Sequence, residues 1–314
     1  MGKRSGYGAH STAEEVAQGI DAKNLTAIVT GGASGIGAEV VRILAKQGAR
    51  VVIAARNKEA AERARAAMEK ELPGASVQCM ELDLASLASV RGFVEDFKKS
   101  GLPLNLLINN AGVMFCPFSL TADGVESQFA TNHLGHFLLT NLLLDTMKET
   151  AAKSGIQGRI VNLSSVAHTT VGYKEGIRDL DAINDRGSYD SKKAYGQSKL
   201  ANILHANSLA VMFQREKINI TANAVHPGLI GTPLWRHSAA MKLFVKIIYA
   251  GKWKSVEQGA ATTIYAAIHP DMADVSGRYL ADCQEAKPSK KALDPQLGKK
   301  LWDISELLVS RASA

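Results

Sequence analysis

The feature that most constrains this chain is a series of short apolar runs with no internal alternation, each followed by a helix-forming segment. Ala27-Ile28-Val29 and Leu106-Leu107-Ile108 are apolar at every position. A strand with one solvated face alternates polar and apolar residues, whereas a strand covered on both faces does not. Further strands are expected at Arg50–Ala54, Ser76–Leu82, Arg159–Leu163 and Asn219–Val225, with the first running Thr26–Thr30 and the fourth Leu104–Asn109. Helices are expected at about 36–47, 58–71, 86–99, 124–149 and 192–214. Repeated strand–helix units of this kind build an α/β fold: a doubly wound parallel sheet of about seven strands with helices on both faces. No internal repeat or low-complexity linker interrupts the pattern, so residues 24–314 read as one domain. Residues 1–23 read as an extension. Its first ten residues are Gly-rich and expected to be mobile, and Ser11-Thr12-Ala13-Glu14 reads as a capping box that starts a short helix to about Ile20.

Composition narrows the function classes. Lys and Arg total 37 against 30 Asp and Glu, a net charge of +7. The excess is concentrated in two places. Arg236–Lys254 holds five cations and no acid, and Lys287–Lys300 holds five lysines against Asp294. Such confinement rules out charge spread evenly over the fold and leaves these two segments as candidates for a membrane surface or a protein complex; no nucleic-acid partner is expected. Cys79, Cys116 and Cys283 form no CxxC pair, which excludes a disulfide framework or zinc cluster and fits a reducing compartment. No signal-peptide pattern is visible, and the apolar stretches fall short of the ~20 residues that span a bilayer. The chain is expected not to be secreted.

The turn after the first strand is Thr30-Gly31-Gly32-Ala33-Ser34-Gly35-Ile36-Gly37. Glycines 31, 35 and 37 let backbone N–H groups approach a pyrophosphate at a helix N-terminus, where the helix dipole favours negative charge. Its position between a strand and a helix makes this a Rossmann-type dinucleotide site, with Gly31, Ser34, Gly35, Ile36 and Gly37 as the binding set. The second strand ends Ala54-Ala55-Arg56-Asn57. A carboxylate there would bind the ribose hydroxyls of NAD; Arg56 instead offers a planar guanidinium to a 2′-phosphate. NADP(H) is therefore the expected cofactor. Tyr195 and Lys199 lie at i and i+4 on one helix face. A free phenol titrates near ~10, and an adjacent ammonium lowers that value, as general acid–base work requires. The strand Arg159–Leu163 leads to Ser164 and Ser165 at its carboxyl end, where ligands bind in open parallel sheets.

Thr30–Gly37, Leu82-Asp83-Leu84, Asn109-Asn110-Ala111-Gly112, Asn132, Ser165, Tyr195 with Lys199, and Pro227-Gly228 with Thr232 occur in one order over about residues 24–282. Together they resemble the short-chain dehydrogenase/reductase superfamily. Phe129–Phe137 and Ser198–Asn202 are similar to its retinol-dehydrogenase-like branch. The head, Ser11–Asp21, and the tail, Lys299–Leu308, resemble plant members associated with the chloroplast inner-envelope translocon. The resemblance implies that Tyr195 donates or accepts the proton, that Lys199 lowers its pKa and holds the nicotinamide ribose, and that Ser165 polarises the substrate oxygen. Asn132 would orient a water in the proton relay. Asp83 with Leu84 would contact the adenine, Asn110 the adenosine ribose, and Pro227, Gly228 and Thr232 the nicotinamide. The expected activity is NADPH-dependent interconversion of a carbonyl and an alcohol on a hydrophobic small molecule. The alternative is an NADPH-binding, redox-sensing subunit of a membrane-associated chloroplast envelope complex. Cytosol and chloroplast are both compatible locations, the latter including a peripheral site at the envelope.

Several features carry two readings. Ser165 and Tyr195 are 30 positions apart, and the intervening segment, about Thr169–Lys192, is expected to border the substrate pocket. His168 either lines that pocket or is structural. His133 and His136 have a helical spacing suited to metal but lack a third ligand, so no metal site is expected. His226 reads as packing and Cys116 as a small buried hydrophobe. Residues 233–254 read as a lid with Met241, Phe244, Val245 and Ile248 on one face, or as a basic amphipathic helix on an anionic membrane. A C-terminal helix at about 297–310 presents Trp302, Ile304, Leu307 and Leu308, either to its own domain or to a partner.

Overall fold

The structure is a computed structural model that describes residues 5–230 and 253–311. β1 (Thr26–Thr30) is buried along its whole length, as its unbroken apolar run requires. It pairs in parallel with β2 (Arg50–Ala55) on one side and β4 (Leu106–Asn109) on the other. β3 (Val77–Glu81) extends the sheet beyond β2, and β5 (Gly158–Leu163) and β6 (Ile220–His226) extend it beyond β4. The two-residue β7 (Leu229–Ile230) and β8 (Trp253–Lys254) pair with each other apart from this sheet. β9 (Tyr279–Ala281) lies parallel to β6, and β10 (Gln284–Glu285) closes the edge antiparallel to it. The eight strands run in the order β3-β2-β1-β4-β5-β6-β9-β10. The strand order reverses between β1 and β4, where a crevice opens at the carboxyl ends.

Two apolar layers cover the faces. On one side lie α2 (Gly35–Lys46), α3 (Lys58–Glu71) and the helix Val256–Ile268, with Val40, Ile43, Met68 and Ile264 buried. On the other lie α4 (Leu87–Lys99), α6 (Gly135–Ser154), α9 (Ser191–Glu216) and the C-terminal helix Pro295–Arg311, with Phe93, Phe97, Leu143, Leu209 and Leu301 buried; the one-turn helices α7 (Ala167–Thr170) and α8 (Leu180–Ile183) lie between α6 and α9 in the chain.

Tertiary contacts moved several boundaries. The helix expected over 124–149 is a short α5 (Ser127–Phe129), a π-helical turn (Ala130–Leu134) and then α6. The wider turn accommodates Asn132, whose side chain bonds both backbone groups of Val113. Gly155, at φ 71°, ends α6 five residues later than expected. At the N-terminus the capping box is Thr12 with Glu15, one residue along from the expected pair, and the helix α1 covers only Ala13–Ala17. Glu14 is diverted to Arg42 and Lys46 on α2. Residues 5–10 are not loose. Tyr7 stands edge-on to His269 with centroids 5.5 Å apart, and Gln258 and Gln284 donate to the carbonyls of His10 and Tyr7. An aromatic anchor and two backbone bonds override the glycine content.

The C-terminal helix docks on its own chain. It buries Leu301, Ser305 and Leu308, a stripe offset from the expected one, and leaves Leu307 43% exposed. Trp302 packs edge-on against Phe137 at 5.0 Å. The basic segment before it is also engaged: Lys291 donates to the Tyr173 carbonyl, and Lys300 to the Ile177 carbonyl and the Asp179 carboxylate. Lys254 pairs with Asp282. The rest of the segment expected as a lid, with Thr232, lies outside the described residues. No helix among the described residues is long and apolar enough to cross a membrane.

Candidate active site

The crevice at the switch point is a cleft of about 370 Å³. It contains Gly31, Ser34, Gly35, Ile36, Gly37, Arg56, Asp83, Leu84, Asn110, Tyr195, Lys199 and Pro227, twelve of the residues singled out from the sequence. Its floor is a close packing of two turns. A Cβ on Gly37 would stand 2.5 Å from Nδ2 of Asn110 and closer still to the Gly31 carbonyl oxygen. Gly31 itself has φ +66°, where only glycine is unstrained. Ser34 is the N-cap of α2, yet its side chain makes no capping bond, so the first amides of a 12-residue helix face the cleft without a side-chain acceptor. These features fit a dinucleotide pyrophosphate. At the end of β2 Arg56 lines the cleft, and Asn57 caps α3 by accepting from the Ala60 amide.

Thr30 organises this floor. Its hydroxyl accepts from the amides of Asn110 and Ala111 at 2.9 Å each and lies 2.8 Å from Nε2 of His136. Nδ1 of His136 lies 3.1 Å from the Asn132 carbonyl, which only accepts, so Nδ1 carries the proton and Nε2 accepts from Thr30. Burial holds this ring neutral, with its pKa down to about 4. Asn110 donates its side-chain amide to the Thr30 carbonyl at 2.7 Å and thus ties the two turns together. Asp83 accepts from the Ala85 amide. Thr30 and His136 sat inside quoted motifs, but sequence carries no sign of a bond between residues 106 positions apart.

At the other end of the cleft, α9 begins at the N-cap Asp190 and carries Tyr195 and Lys199 inward. Lys199 is 5% exposed, and burial pulls its ammonium down to about 8. It donates to the Leu163 carbonyl at 3.0 Å, an acceptor it shares with the Asn202 amide at 2.8 Å. Its Nζ lies 5.7 Å from the Tyr195 ring centroid. The phenol is pushed up to about 12 by burial, an effect that a hydrogen bond with Ser165 partly offsets. The expected lowering by Lys199 is thus not what dominates. The ammonium is directed at a backbone carbonyl, and desolvation of the phenol is the larger effect.

The two serines divide. Ser164 lines the cleft and donates its hydroxyl to the Lys199 carbonyl at 2.8 Å. Ser165 meets Tyr195 and accepts from the Ala167 amide. Asn132 lies beneath the cleft. Its carbonyl oxygen accepts from the Val113 amide, and its Nδ2 donates to the Val113 carbonyl and the Ser198 hydroxyl. Gly228 lies beside the cleft against Lys254. His226 accepts from the Gly228 amide, and burial lowers it to about 4. Met114, Phe115, Ala167, Val171 and Trp253 pack around Tyr195 as an apolar wall. The Phe115 ring stands edge-on to the phenol at 5.4 Å. The segment 169–192 contributes Val171 to this wall, and its Tyr189 hydroxyl donates to the Cys116 carbonyl beside it at 2.8 Å. His133 is directed away from the cleft, with Nε2 2.8 Å from the Ser305 hydroxyl.

Comparison with known proteins agrees with this geometry. The short chain dehydrogenase family model matches residues 25–177. The chain is 58% identical over 306 residues to short-chain dehydrogenase TIC 32 A, chloroplastic, of Brassica napus, covering 98% of this chain and 95% of that one. It is 41% identical over 300 residues to human retinol dehydrogenase 14, covering 90% and 86%. A solved Mycobacterium paratuberculosis protein superimposes with a TM-score of 0.72 at 33% identity, covering 94% of this chain and 97% of that one. Two further neighbours hold different dinucleotides. The Pseudomonas aeruginosa RhlG/NADP complex has a TM-score of 0.65 at 26% identity, covering 83% and 96%. The Brucella melitensis 3-ketoacyl-(acyl-carrier-protein) reductase with NADH has a TM-score of 0.63 at 25% identity, covering 82% and 96%. With nearly full-length relatives and a cleft assembled from the expected residues, the chain belongs to the short-chain dehydrogenase family, within its retinol-dehydrogenase-like branch.

Proposed function

We propose that this protein is an NADPH-dependent oxidoreductase that interconverts a carbonyl and an alcohol on a hydrophobic small molecule. The observation that carries the reading is that one cleft joins an uncapped, glycine-rich helix N-terminus to the buried Tyr195–Lys199 pair. When bound, the dinucleotide supplies or takes the hydride. The chain's own residues do the rest. The amides of Gly31 and Ser34–Gly37 would hold the pyrophosphate, and Arg56 would pair with a 2′-phosphate. Asp83, Leu84 and Asn110 would border the adenosine, and Pro227 and Gly228 the nicotinamide.

Ser165 hydrogen-bonds the substrate oxygen and orients it toward Tyr195. Burial keeps that phenol protonated at neutral pH, so in reduction it donates a proton as negative charge develops on the oxygen. Lys199, held 5.7 Å from the ring centroid, then stabilises the phenolate and would also hold the nicotinamide ribose. Asn132 clamps Val113 beside Lys199 and orients a water for proton resupply. The apolar wall around Tyr195 excludes bulk water and favours an apolar substrate. All-trans-retinaldehyde is the probe carbonyl suggested by the named relatives. Tyr195→Phe removes the proton donor and is expected to abolish NADPH-dependent turnover of this probe while retaining NADPH binding. Wild-type turnover in that variant refutes the mechanism.

The names of the Brassica relatives support a chloroplast location. Their similarity across nearly the whole chain also favours one second reading, a redox-sensing subunit at the envelope. Envelope association that follows the NADP⁺/NADPH ratio, with no turnover on a carbonyl panel, would distinguish it.

A further inference from the structure

We infer that His168 is a positioning residue through which the C-terminal segment holds Ser165 in place. The inference rests on the reading of Ser165 as the residue that orients the substrate oxygen. The Ser165 carbonyl accepts twice from His168, from its backbone amide at 3.2 Å and from Nδ1 at 2.6 Å. The opposite ring nitrogen, Nε2, accepts from the backbone amide of Ser289 at 3.1 Å, 121 positions along the chain. A carbonyl only accepts and a backbone amide only donates, so the tautomer is determined: Nδ1 carries the proton and the ring is neutral. The ring is also packed edge-on to Tyr279 with centroids 4.9 Å apart. A ring present only to fill space would leave its nitrogens unbonded; here both are matched to backbone groups of opposite sense.

Ser289 is itself held by the docked tail. It caps the turn Lys290–Leu293 by accepting from the Ala292 amide, and the buried Ala292 receives a bond at its carbonyl from Asn207 on α9. Lys291 fixes the neighbouring segment through the Tyr173 carbonyl. Docking of the tail on α9 therefore sets where the Ser289 amide points. That amide sets the ring, and the ring sets the backbone from which the Ser165 hydroxyl reaches Tyr195.

The test is made on the full chain. Ser289 has φ −62°, already that of proline, so Ser289→Pro deletes the amide donor without demanding a new backbone angle. Ser289→Ala loses only the cap and is the control. His168→Phe keeps the ring and removes both bonds. Hydrogen exchange of residues 165–171 is measured without dinucleotide, and kcat/KM with NADPH and all-trans-retinaldehyde. Loss of one such bond is expected to speed exchange over 165–171 about fivefold and to lower kcat/KM about tenfold, mainly through kcat, in the Pro and Phe variants but not in the Ala control. Equal exchange in Ser289→Pro and Ser289→Ala overturns the inference. If the Pro variant does not fold, wild-type exchange in His168→Phe overturns it instead. Turnover retained by Tyr195→Phe would refute the reading of the site but leave the exchange result to decide the coupling.

Discussion

Gly37→Ala tests whether the glycine turn is a built cradle or an incidental bend. The added Cβ would lie 2.5 Å from Nδ2 of Asn110 and 2.9 Å from the Gly31 carbonyl carbon, where ordinary contact begins at 3.4 Å. The turn and the Asn110 side chain must therefore separate by roughly 1 Å, and neither moves freely. Gly31 is at positive φ, and Asn110 is bonded to the Thr30 carbonyl. Overpacking of this size costs about 1–3 kcal/mol. At this chain length that corresponds to a fall of roughly 1.5–5 °C in melting temperature. The same displacement moves the first amides of α2, so the affinity for NADPH falls at least tenfold, the equivalent of about 1.4 kcal/mol. Gly92→Ala is the matched control: Gly92 is an exposed position in α4 where a Cβ meets nothing within 4 Å. It should leave NADPH affinity unchanged and stabilise the helix by about 0.8–1 kcal/mol. The assay pairs thermal melts with NADPH fluorescence titration. Wild-type NADPH affinity in Gly37→Ala, with correct folding, refutes the argument.

Three further outcomes follow from the site. Arg56→Asp replaces the guanidinium with a carboxylate at the end of β2 and should move the NADPH-to-NADH affinity ratio at least tenfold toward NADH; an unchanged ratio removes the NADP assignment. Folding stability should fall in acid, because burial holds His136 near 4 and His205 near 3, below the ordinary 6.5. Between about pH 6.5 and 4 the unfolded chain binds protons at these rings and the folded chain does not, a slope of up to about 1.4 kcal/mol per pH unit for each. In urea titrations across that range His136→Asn should flatten the slope by that amount; an unaltered slope contradicts the neutral, bonded ring. Tyr189→Phe deletes the hydroxyl that holds the Cys116 carbonyl and should raise KM for retinaldehyde several-fold with less effect on kcat; equal effects on both would place Tyr189 outside substrate binding.

Strand positions were legible because burial on both faces leaves a mark at every residue: β1, β2, β4, β5 and β6 lie within two residues of their expected ends. β7 to β10 were not, since two- or three-residue strands are too short to show any period. The helix 58–71 matched residue for residue, with Asn57 as its cap. The long helix after it in the site did not, because a π turn depends on Val113, which sits outside the helix. Thr12 and Glu15 displaced Ser11 and Glu14 for a similar reason: two capping boxes were available locally, and Arg42 and Lys46 claimed Glu14. The docked stripe of the C-terminal helix includes Ser305, a polar residue that periodicity excludes and that His133 recruits.

By itself the sequence determined the long strands of the sheet, the glycine turn with Arg56 and the Tyr195–Lys199 pair, because strand burial, glycine turns and helical spacing are local patterns, and the family resemblance supplied the other cleft residues. Tertiary structure alone decided the proton position on His136 and on His168 and the carbonyl that Lys199 faces. These depend on desolvation and on hydrogen-bond partners that folding brings from distant parts of the chain, as with Ser289 and His168, and no local pattern of residues encodes them.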